Sequence, residues 1–279
     1  MTHVLPSAPD RAPGASAERS DAPAPRAFDV AIFDMDGVIT RTAEVHSLAW
    51  KRMFDEFLRR RAALSGGEFV EFTHARDYLA YVDGRPRYKG VETFLRSRGI
   101  ELPWGATDDA PERETICGLG NRKNFHFNRI VETEGVGLYD STIALIGELR
   151  ARGIAVGLAT SSRNSAVVLG KSGTAPLFAT VVDGLVSEKL GLKGKPEPDI
   201  FVTAAANLGA TPARAIVFED AVTGVQAGAR GGFALVIGIA RENNEEALRT
   251  SGADLVVRDL AATSLEEISR LVRTKRDGS

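Results

Sequence analysis

The sequence has little of several features that mark other classes of protein. It contains one cysteine, Cys117, so no disulfide can form within the chain, and a reducing compartment is expected. No stretch approaches the about 18 consecutive apolar residues that a membrane-spanning helix needs. The formal net charge of −2 offers no basic surplus for nucleic-acid binding. These absences favour a cytoplasmic protein that binds neither membranes nor nucleic acid.

The first residues differ in composition from the rest of the chain. Residues 1–26 have no apolar segment of the kind found in secretory signals. They are rich in proline, alanine, serine and charge, which predicts a disordered tail. A transit peptide is the alternative, but the acidic residues Asp10, Glu18 and Asp21 weigh against it. No exposed heptad or apolar stripe is evident, so a monomer is expected.

From Phe28 onward, short β-like runs alternate with helical patterns, which predicts a parallel sheet covered by helices. With 43% hydrophobic residues the chain can bury a large core. The predicted strands span residues 29–33, 153–160, 180–184, 214–220, 233–239 and 253–257. The predicted helices around them span residues 141–152, 198–209 and 264–276.

A long helical segment interrupts this alternation after the first strand. Helices are predicted over residues 43–64, 74–82, 90–99 and 122–132, from apolar positions at helical spacing. We therefore expect an α/β protein, a Rossmann-like parallel sheet core with an inserted all-helical cap domain after the first strand. The core domain would span residues 27–42 and 138–279, and the cap domain residues 43–137. The hinges would lie near residues 41–43 and 135–138.

The run "FDVAIFDMDG" ends a strand in two carboxylates, and burying a carboxylate is costly unless it is compensated. Asp34 is a candidate nucleophile that could form an acyl phosphate. Asp36, on the following turn, could act as general acid and base. Gly37 allows the sharp turn. An Asx turn at the strand end is the alternative.

Hydroxyl groups follow the second strand in "LATSSRN". Thr160, Ser161 and Ser162 offer hydroxyl and backbone N–H groups to an anion near the start of a helix. A simple N-cap is the alternative for Ser162. Arg163 or Asn164 could also reach the ligand, or could be solvated.

A lysine stands before a proline in "LKGKPEPDIF". The ammonium of Lys195 could neutralise a carboxylate nucleophile and a phosphoryl group as they approach each other. A solvated loop lysine is the alternative, and Lys189 and Lys193 are competitors for the role.

Two more carboxylates, Glu219 and Asp220, end the strand in "VFEDAVTG". Together with Asp34 and Asp36 they would place four carboxylates in one small volume. That much negative charge requires a cation, and oxygen ligands next to a phosphate favour Mg²⁺. The predicted metal residues are therefore Asp34, Asp36, Glu219 and Asp220.

The order of these four motifs resembles the haloacid dehalogenase superfamily of phosphotransferases. "DMDGVIT", a Thr/Ser after a strand, "KPEPD" and a final "ED" occur in that superfamily's usual order, over residues 28 to about 271. The segment "DGVITRTAEVHSLAWKRMF" is further similar to the β-phosphoglucomutase branch. The resemblance implies a helical cap, an aspartyl-phosphate intermediate and Mg²⁺.

The same resemblance implies roles at the cap and hinge. Thr42 and His46 would lie at the hinge, with His46 holding Asp36, and Trp50 would shield the sugar site. His46 on the helix surface and Trp50 in the core are the alternatives.

Further residues of the implied substrate site lie in the cap. Gly84 and Arg87 belong to a loop that grips the substrate, with Arg87 on the phosphate that is not transferred. Lys123 and Asn124 would lie near the same ligand. A solvated Arg87 is the alternative.

Some positions depart from the usual pattern of that branch. Arg41 replaces an aspartate, Asp83 and Pro86 replace a lysine and a serine, and the region 59–80 is longer. These departures bear on the substrate more than on the chemistry.

The resemblance implies a phosphomutase that converts β-glucose 1-phosphate to glucose 6-phosphate. A sugar-phosphate phosphatase with the same nucleophile is the alternative. A non-catalytic binding protein on the same scaffold is a third hypothesis.

Overall fold

Six parallel strands form the centre of the computed structural model, which describes residues 26–82 and 85–278. In chain order they are β1 Val30–Phe33, β2 Ala155–Ala159, β3 Thr180–Val182, β4 Ala215–Glu219, β5 Leu235–Ile239 and β6 Leu255–Val257. Their spatial order is β3-β2-β1-β4-β5-β6. The chain order thus reverses around β1, the position at which open α/β sheets bind ligands beyond their carboxyl ends. The predicted α/β class is confirmed.

Helices follow the strands and cover the sheet. The inserted cap contains α1 Thr42–Ser65, α2 Leu79–Tyr81, α3 Arg87–Ser97 and α4 Ile116–Glu134, with a π-helical turn His74–Tyr78 before α2. The sheet is accompanied by α5 Asp140–Ala151, α6 Ser165–Ser172, α7 Gly184–Leu190, α8 Asp199–Asn207, α9 Val222–Arg230, α10 Glu245–Thr250 and α11 Leu265–Asp277. In the described part of the chain, no helix is both long and apolar enough to cross a membrane.

The sheet is buried on both faces. Alternate residues of β1 point in opposite directions: Ala31 and Phe33 belong to one apolar cluster, and Val30 and Ile32 to another. A strand buried on both sides reads as a continuous apolar run, which is why "VAIF" contains no polar residue. The first polar side chain after it, Asp34, therefore emerges at the carboxyl edge of the sheet.

The cap has an apolar core of its own. Phe54, Phe72 and Phe94 are fully buried there, with ring centroids 4.1 to 5.1 Å apart. The two chain crossings between cap and sheet run side by side, because the backbone N–H of Arg41 donates to the Gly137 carbonyl at 2.8 Å. The cap therefore packs around its own core, and two adjacent chain segments, at Arg41 and at Gly137, join it to the sheet domain.

Several elements differ from the sequence prediction, as three examples show. The third strand ends at Val182, not at 184, because the Asp183 carboxylate accepts hydrogen bonds from Leu185 N and Val186 N and so starts α7. Helix α4 begins six residues before the predicted 122, since Thr115 Oγ1 accepts from Gly118 N at 2.9 Å. The predicted helix 74–82 is a π-helical turn followed by the short α2.

Candidate active site

The register of the sheet brings the carboxylates of two strands together. Phe33 of β1 pairs with Phe218 of β4, and their rings stack at 4.2 Å. The next residues, Asp34 and Glu219, therefore emerge side by side. One carboxylate oxygen each from Asp34, Glu219 and Asp220 lies within 4.8 Å of the other two. We call these three residues the acidic triad.

Lys195 supplies positive charge to the acidic triad. Its Nζ lies 2.6 Å from Asp34 Oδ1 and 2.9 Å from Glu219 Oε2. Its side chain is only 8% exposed, so the alternative of a solvated loop lysine is wrong. The competing residues Lys189 and Lys193 are exposed instead.

The charge of the acidic triad exceeds that of its one ammonium. Burial and the neighbouring Glu219 raise the pKa of Asp34 to about 8, although Lys195 opposes the change. Burial, Glu219 and Asp34 likewise raise the pKa of Asp220 well above its ordinary value. Three converging carboxylates with hard oxygen donors fit a divalent cation such as Mg²⁺.

The side chain of Asp36 lies outside the acidic triad. Its Oδ1 accepts a short hydrogen bond from Thr42 Oγ1 and lies 3.6 Å from His46 Nε2. Burial by itself would raise the pKa of Asp36, but His46, Thr42 and Lys123 together lower it. Thr42 and His46 therefore hold the Asp36 side chain at the hinge, and a metal role for this residue stays a prediction for its main-chain carbonyl.

The turn after β1 approaches the acidic triad so closely that position 37 requires glycine. Its φ of +77° lies in the left-handed region, and a Cβ atom there would fall 1.8 Å from Asp220 Oδ2. Any side chain at this position would displace the Asp220 carboxylate.

The loop after β2 is ordered by its own hydroxyls. Buried Thr160 accepts through Oγ1 from Ser162 N, and Ser162 Oγ accepts from Asn164 N, both at 3.2 Å. Helix α6 begins only after Asn164, so the alternative of Ser162 as its N-cap is wrong. Ser161 is exposed.

Cap and core meet in a hydrogen-bonded group above this loop. Asn124 Oδ1 accepts from Arg87 Nη2 and from Asn164 Nδ2, each at 2.9 Å. The alternative of a fully solvated Arg87 is therefore wrong. Gly84, predicted to belong to the same site, lies outside the described residues.

A cavity of about 350 Å³ opens at this junction of cap and core. Its walls come from both layers and are predominantly polar. They include Arg87, Asn124 and Asp108 from the cap and Arg163, Asn164 and Glu188 from the core. Arg163 is paired with Glu188 at 2.7 Å. The lining of the cavity thus combines two arginines with two carboxylates.

Lys123, the neighbour of Asn124 in α4, contacts Asp36 through His46. It is buried, with Nζ 2.6 Å from His46 Nδ1 and 5.3 Å from the centroid of the Trp50 ring. Burial and the nearby Arg87 lower the pKa of Lys123 to about 7. The His46 ring stacks on Phe127 at 4.3 Å, so the alternative of a surface histidine is wrong. Trp50 is buried, in agreement with the alternative that placed it in the core.

Arg241 makes a contact at the site that sequence reasoning missed. The Nε of Arg241, just beyond β5, donates to the Gly37 carbonyl at 2.8 Å. The available signal was its position: like Asp34, Thr160 and Glu219, it follows an apolar strand at the carboxyl edge of the sheet.

Comparison with known proteins agrees with this fold. The model of the haloacid dehalogenase-like hydrolase family matches residues 28–232, and the chain belongs to that family. The chain is 44% identical over 240 residues to a β-phosphoglucomutase of Mycobacterium bovis, covering 85% of this chain and 92% of that protein. It is 33% identical over 237 residues to a β-phosphoglucomutase of Bacillus subtilis, covering 84% and 91%.

A solved structure supports the fold. The β-phosphoglucomutase of Clostridium difficile superposes with a TM-score of 0.69 at 23% identity, covering 88% of this chain and 98% of that chain. Together these findings confirm the predicted resemblance and the expectation of an enzyme, a phosphomutase with a phosphatase as the alternative.

Proposed function

We propose that the protein is a Mg²⁺-dependent β-phosphoglucomutase that interconverts β-glucose 1-phosphate and glucose 6-phosphate through a bisphosphate and an aspartyl phosphate. The observation that carries this proposal is the pairing of Asp34 with Lys195 and Glu219 at the sheet edge, below a cap that contributes an arginine. The similarity to named β-phosphoglucomutases supports the choice of substrate.

Asp34 would carry the phosphoryl group. One of its oxygens attacks the phosphorus of the sugar phosphate, so that a new P–O bond forms and the P–O bond to the sugar breaks. Asp36 gives a proton to the departing sugar oxygen and later takes one from the acceptor hydroxyl. Its position between Thr42 and His46 would fix it for both transfers.

Charge compensation would come from the residues around Asp34. Lys195, Thr160 and Ser162 would hold the phosphoryl oxygens as negative charge builds up. Mg²⁺ would be held by the acidic triad and by the main-chain carbonyl of Asp36. When bound, the ion supplies charge that brings a carboxylate and a phosphate close together.

The cap would bind the phosphate that is not transferred. Arg87 would make a charge-assisted contact to that phosphate, with Lys123 and Asn124 near it, and its hydrogen bond to Asn124 supports this role. Closure of the cap would exclude water, since an aspartyl phosphate that meets water is hydrolysed. Opening would let the bisphosphate turn round.

A coupled assay tests the proposal. β-Glucose 1-phosphate, Mg²⁺ and a trace of glucose bisphosphate are supplied, and glucose 6-phosphate and inorganic phosphate are measured together. We expect glucose 6-phosphate to account for the substrate consumed. Release of inorganic phosphate at the rate of substrate loss would reject the mutase.

A sugar-phosphate phosphatase is the second candidate, with the same nucleophile and water as acceptor. The replaced cap-loop residues Asp83 and Pro86 favour it, because this loop would hold the acceptor sugar. The same assay decides between the two. A non-catalytic binding protein is disfavoured by the assembled acidic triad and Lys195, and Mg²⁺-dependent turnover that disappears in Asp34→Ala would exclude it.

A further inference from the structure

A short segment after β5, residues 241–244, contacts two parts of the candidate active site, the turn that carries Asp36 and the acidic triad. Arg241 Nε donates to the Gly37 carbonyl at 2.8 Å, and Asn244 Nδ2 donates to the Asp220 carbonyl at 3.1 Å. Gly37 and the Asp220 carboxylate are themselves in close contact. The segment therefore fixes the turn that carries Asp36 relative to a member of the acidic triad.

Arg241 also reaches the hinge. Its guanidinium carbon lies 3.6 Å from the centroid of the Tyr139 ring, and that of Arg41 lies 4.8 Å from the same centroid. Tyr139 N donates to the Ile39 carbonyl at 3.0 Å, so Tyr139 joins the two chain crossings between cap and core. Arg241 thus contacts the hinge and the turn of Asp36 with one planar group.

The backbone and polar atoms of the segment are unusual. Asn243, with φ of 53°, is the only non-glycine residue with positive φ among the residues that the structure describes. Arg241 Nη2 and Asn244 Oδ1 are buried and have no hydrogen-bond partner among the described residues. Such costs are typical of segments that serve a functional site rather than packing alone.

The segment further touches the cap. Glu242 Oε1 lies 3.8 Å from His74 Nε2, and His74 Nδ1 lies 2.8 Å from Ser47 Oγ of α1. The segment therefore contacts the cap, the hinge and the acidic site.

We propose that Arg241 is a positioning residue that holds the turn of Asp36 in register with Asp220 and the hinge. The proposal rests on the proposed function only in that Asp36 transfers the proton. Arg241 acts through the Gly37 carbonyl, so its loss should misplace Asp36 as the general acid. The effect should appear in the chemical step and not in substrate binding.

The test compares two phosphoryl donors in single-turnover phosphorylation of Asp34 at saturating Mg²⁺. One donor is the phosphate monoester that wild type turns over fastest, whose sugar oxygen needs a proton to leave. The other is acetyl phosphate, whose leaving group needs none. For Arg241→Met we expect phosphorylation by the monoester to fall on the order of 10- to 100-fold, with KM within about twofold. Phosphorylation by acetyl phosphate should fall far less.

The matched control is Arg249→Met on α10, which removes an exposed arginine paired with Glu246 and should leave both donors unaffected. Arg241→Lys keeps the charge but cannot reproduce the guanidinium contacts, and it should show a smaller loss with the same donor selectivity. If Arg241→Met does not fold, as judged by circular dichroism, the donor comparison on Arg241→Lys decides.

An equal loss with both donors, or no loss with either, would overturn the proposal. Failure of wild type on β-glucose 1-phosphate would instead count against the proposed function. The Arg241 test would still be valid in that case, because its first donor is the monoester that wild type turns over fastest, whichever sugar it carries.

Discussion

At the residue scale, Asp34 is buried, and it shares the ammonium of Lys195 with the carboxylate of Glu219. A neutral amide can accept a hydrogen bond from the same ammonium, but it cannot form an acyl phosphate. The side chain at this position therefore decides whether the site can perform chemistry, while the fold around it depends on it much less.

We predict that Asp34→Asn reduces Mg²⁺-dependent turnover by at least about 1,000-fold and removes any trapped phosphoenzyme. Turnover and acid-quenched phosphoenzyme are the measurements. The matched control is Asp29→Asn at the other end of β1, which weakens a partly exposed ion pair with Arg214 and should keep turnover within about twofold. Normal turnover in Asp34→Asn would assign the nucleophile elsewhere.

Lys123 provides a pH-dependent prediction at the same scale. Burial and Arg87 lower its pKa from 10.5 to about 7 in the folded protein. Between these two pH values the unfolded chain binds more protons than the folded chain, so this residue makes stability rise as the pH rises through that window. Below pH about 7 the fold bears the full cost of the buried charge.

Lys123→Met should remove this dependence. The unfolding free energy of wild type minus that of the variant should increase by roughly 1 to 3 kcal/mol from pH 7 to pH 9, since each pKa unit is worth about 1.4 kcal/mol. Urea unfolding at several pH values measures it. A difference that is flat or falls with pH would contradict the prediction.

At the element scale, the turn after β1 and the end of β4 are packed without room for a side chain between them. Gly37→Ala would combine an unfavourable φ of +77° with a Cβ atom 1.8 Å from Asp220 Oδ2. We expect turnover to fall on the order of 100-fold and half-maximal activity to need more Mg²⁺, because Asp220 must move.

The matched control for this element is Gly66→Ala at the end of α1. Its φ of +69° imposes a comparable backbone cost, but nothing lies within 4 Å of the added Cβ. It should lose about 1 kcal/mol of stability and keep the wild-type Mg²⁺ dependence. Similar Mg²⁺ responses in both variants would mean that strain, not contact with Asp220, is responsible.

At the scale of the whole molecule, the packed structure begins close to the predicted start of the core. Ala27 and Phe28 are buried, and Arg26 Nη1 donates to the Gly153 carbonyl at 2.8 Å. Residues 1–25 lie outside the described residues, and the prediction of a tail there stays a prediction.

We predict that a chain starting at Arg26 keeps wild-type turnover and an unfolding free energy within about 0.5 kcal/mol of the full chain. Steady-state kinetics and urea unfolding of both chains measure this. A larger loss in either quantity would show that residues 1–25 contribute to the core or to the site.

Local patterns were sufficient for the strands and for the residues that end them. Apolar runs marked all six strands, and Asp34, Thr160 and Glu219 follow three of them. Helix ends were less predictable: Asp183 was read as part of a strand, although its carboxylate caps α7. A helix N-cap depends on the direction of a side chain, which a short stretch of sequence does not specify.

The sequence by itself determined the alternation of strands and helices, the helical insertion after β1 and the types of residue at the site, because periodicity and strand-end polarity are local properties of the chain. Only the tertiary structure decided which groups touch. The register of β1 against β4 placed Asp34 beside Glu219, and the route of the chain after β5 brought Arg241 to Gly37, which is 204 residues away. Such contacts depend on how distant segments pack, and no short-range pattern specifies that.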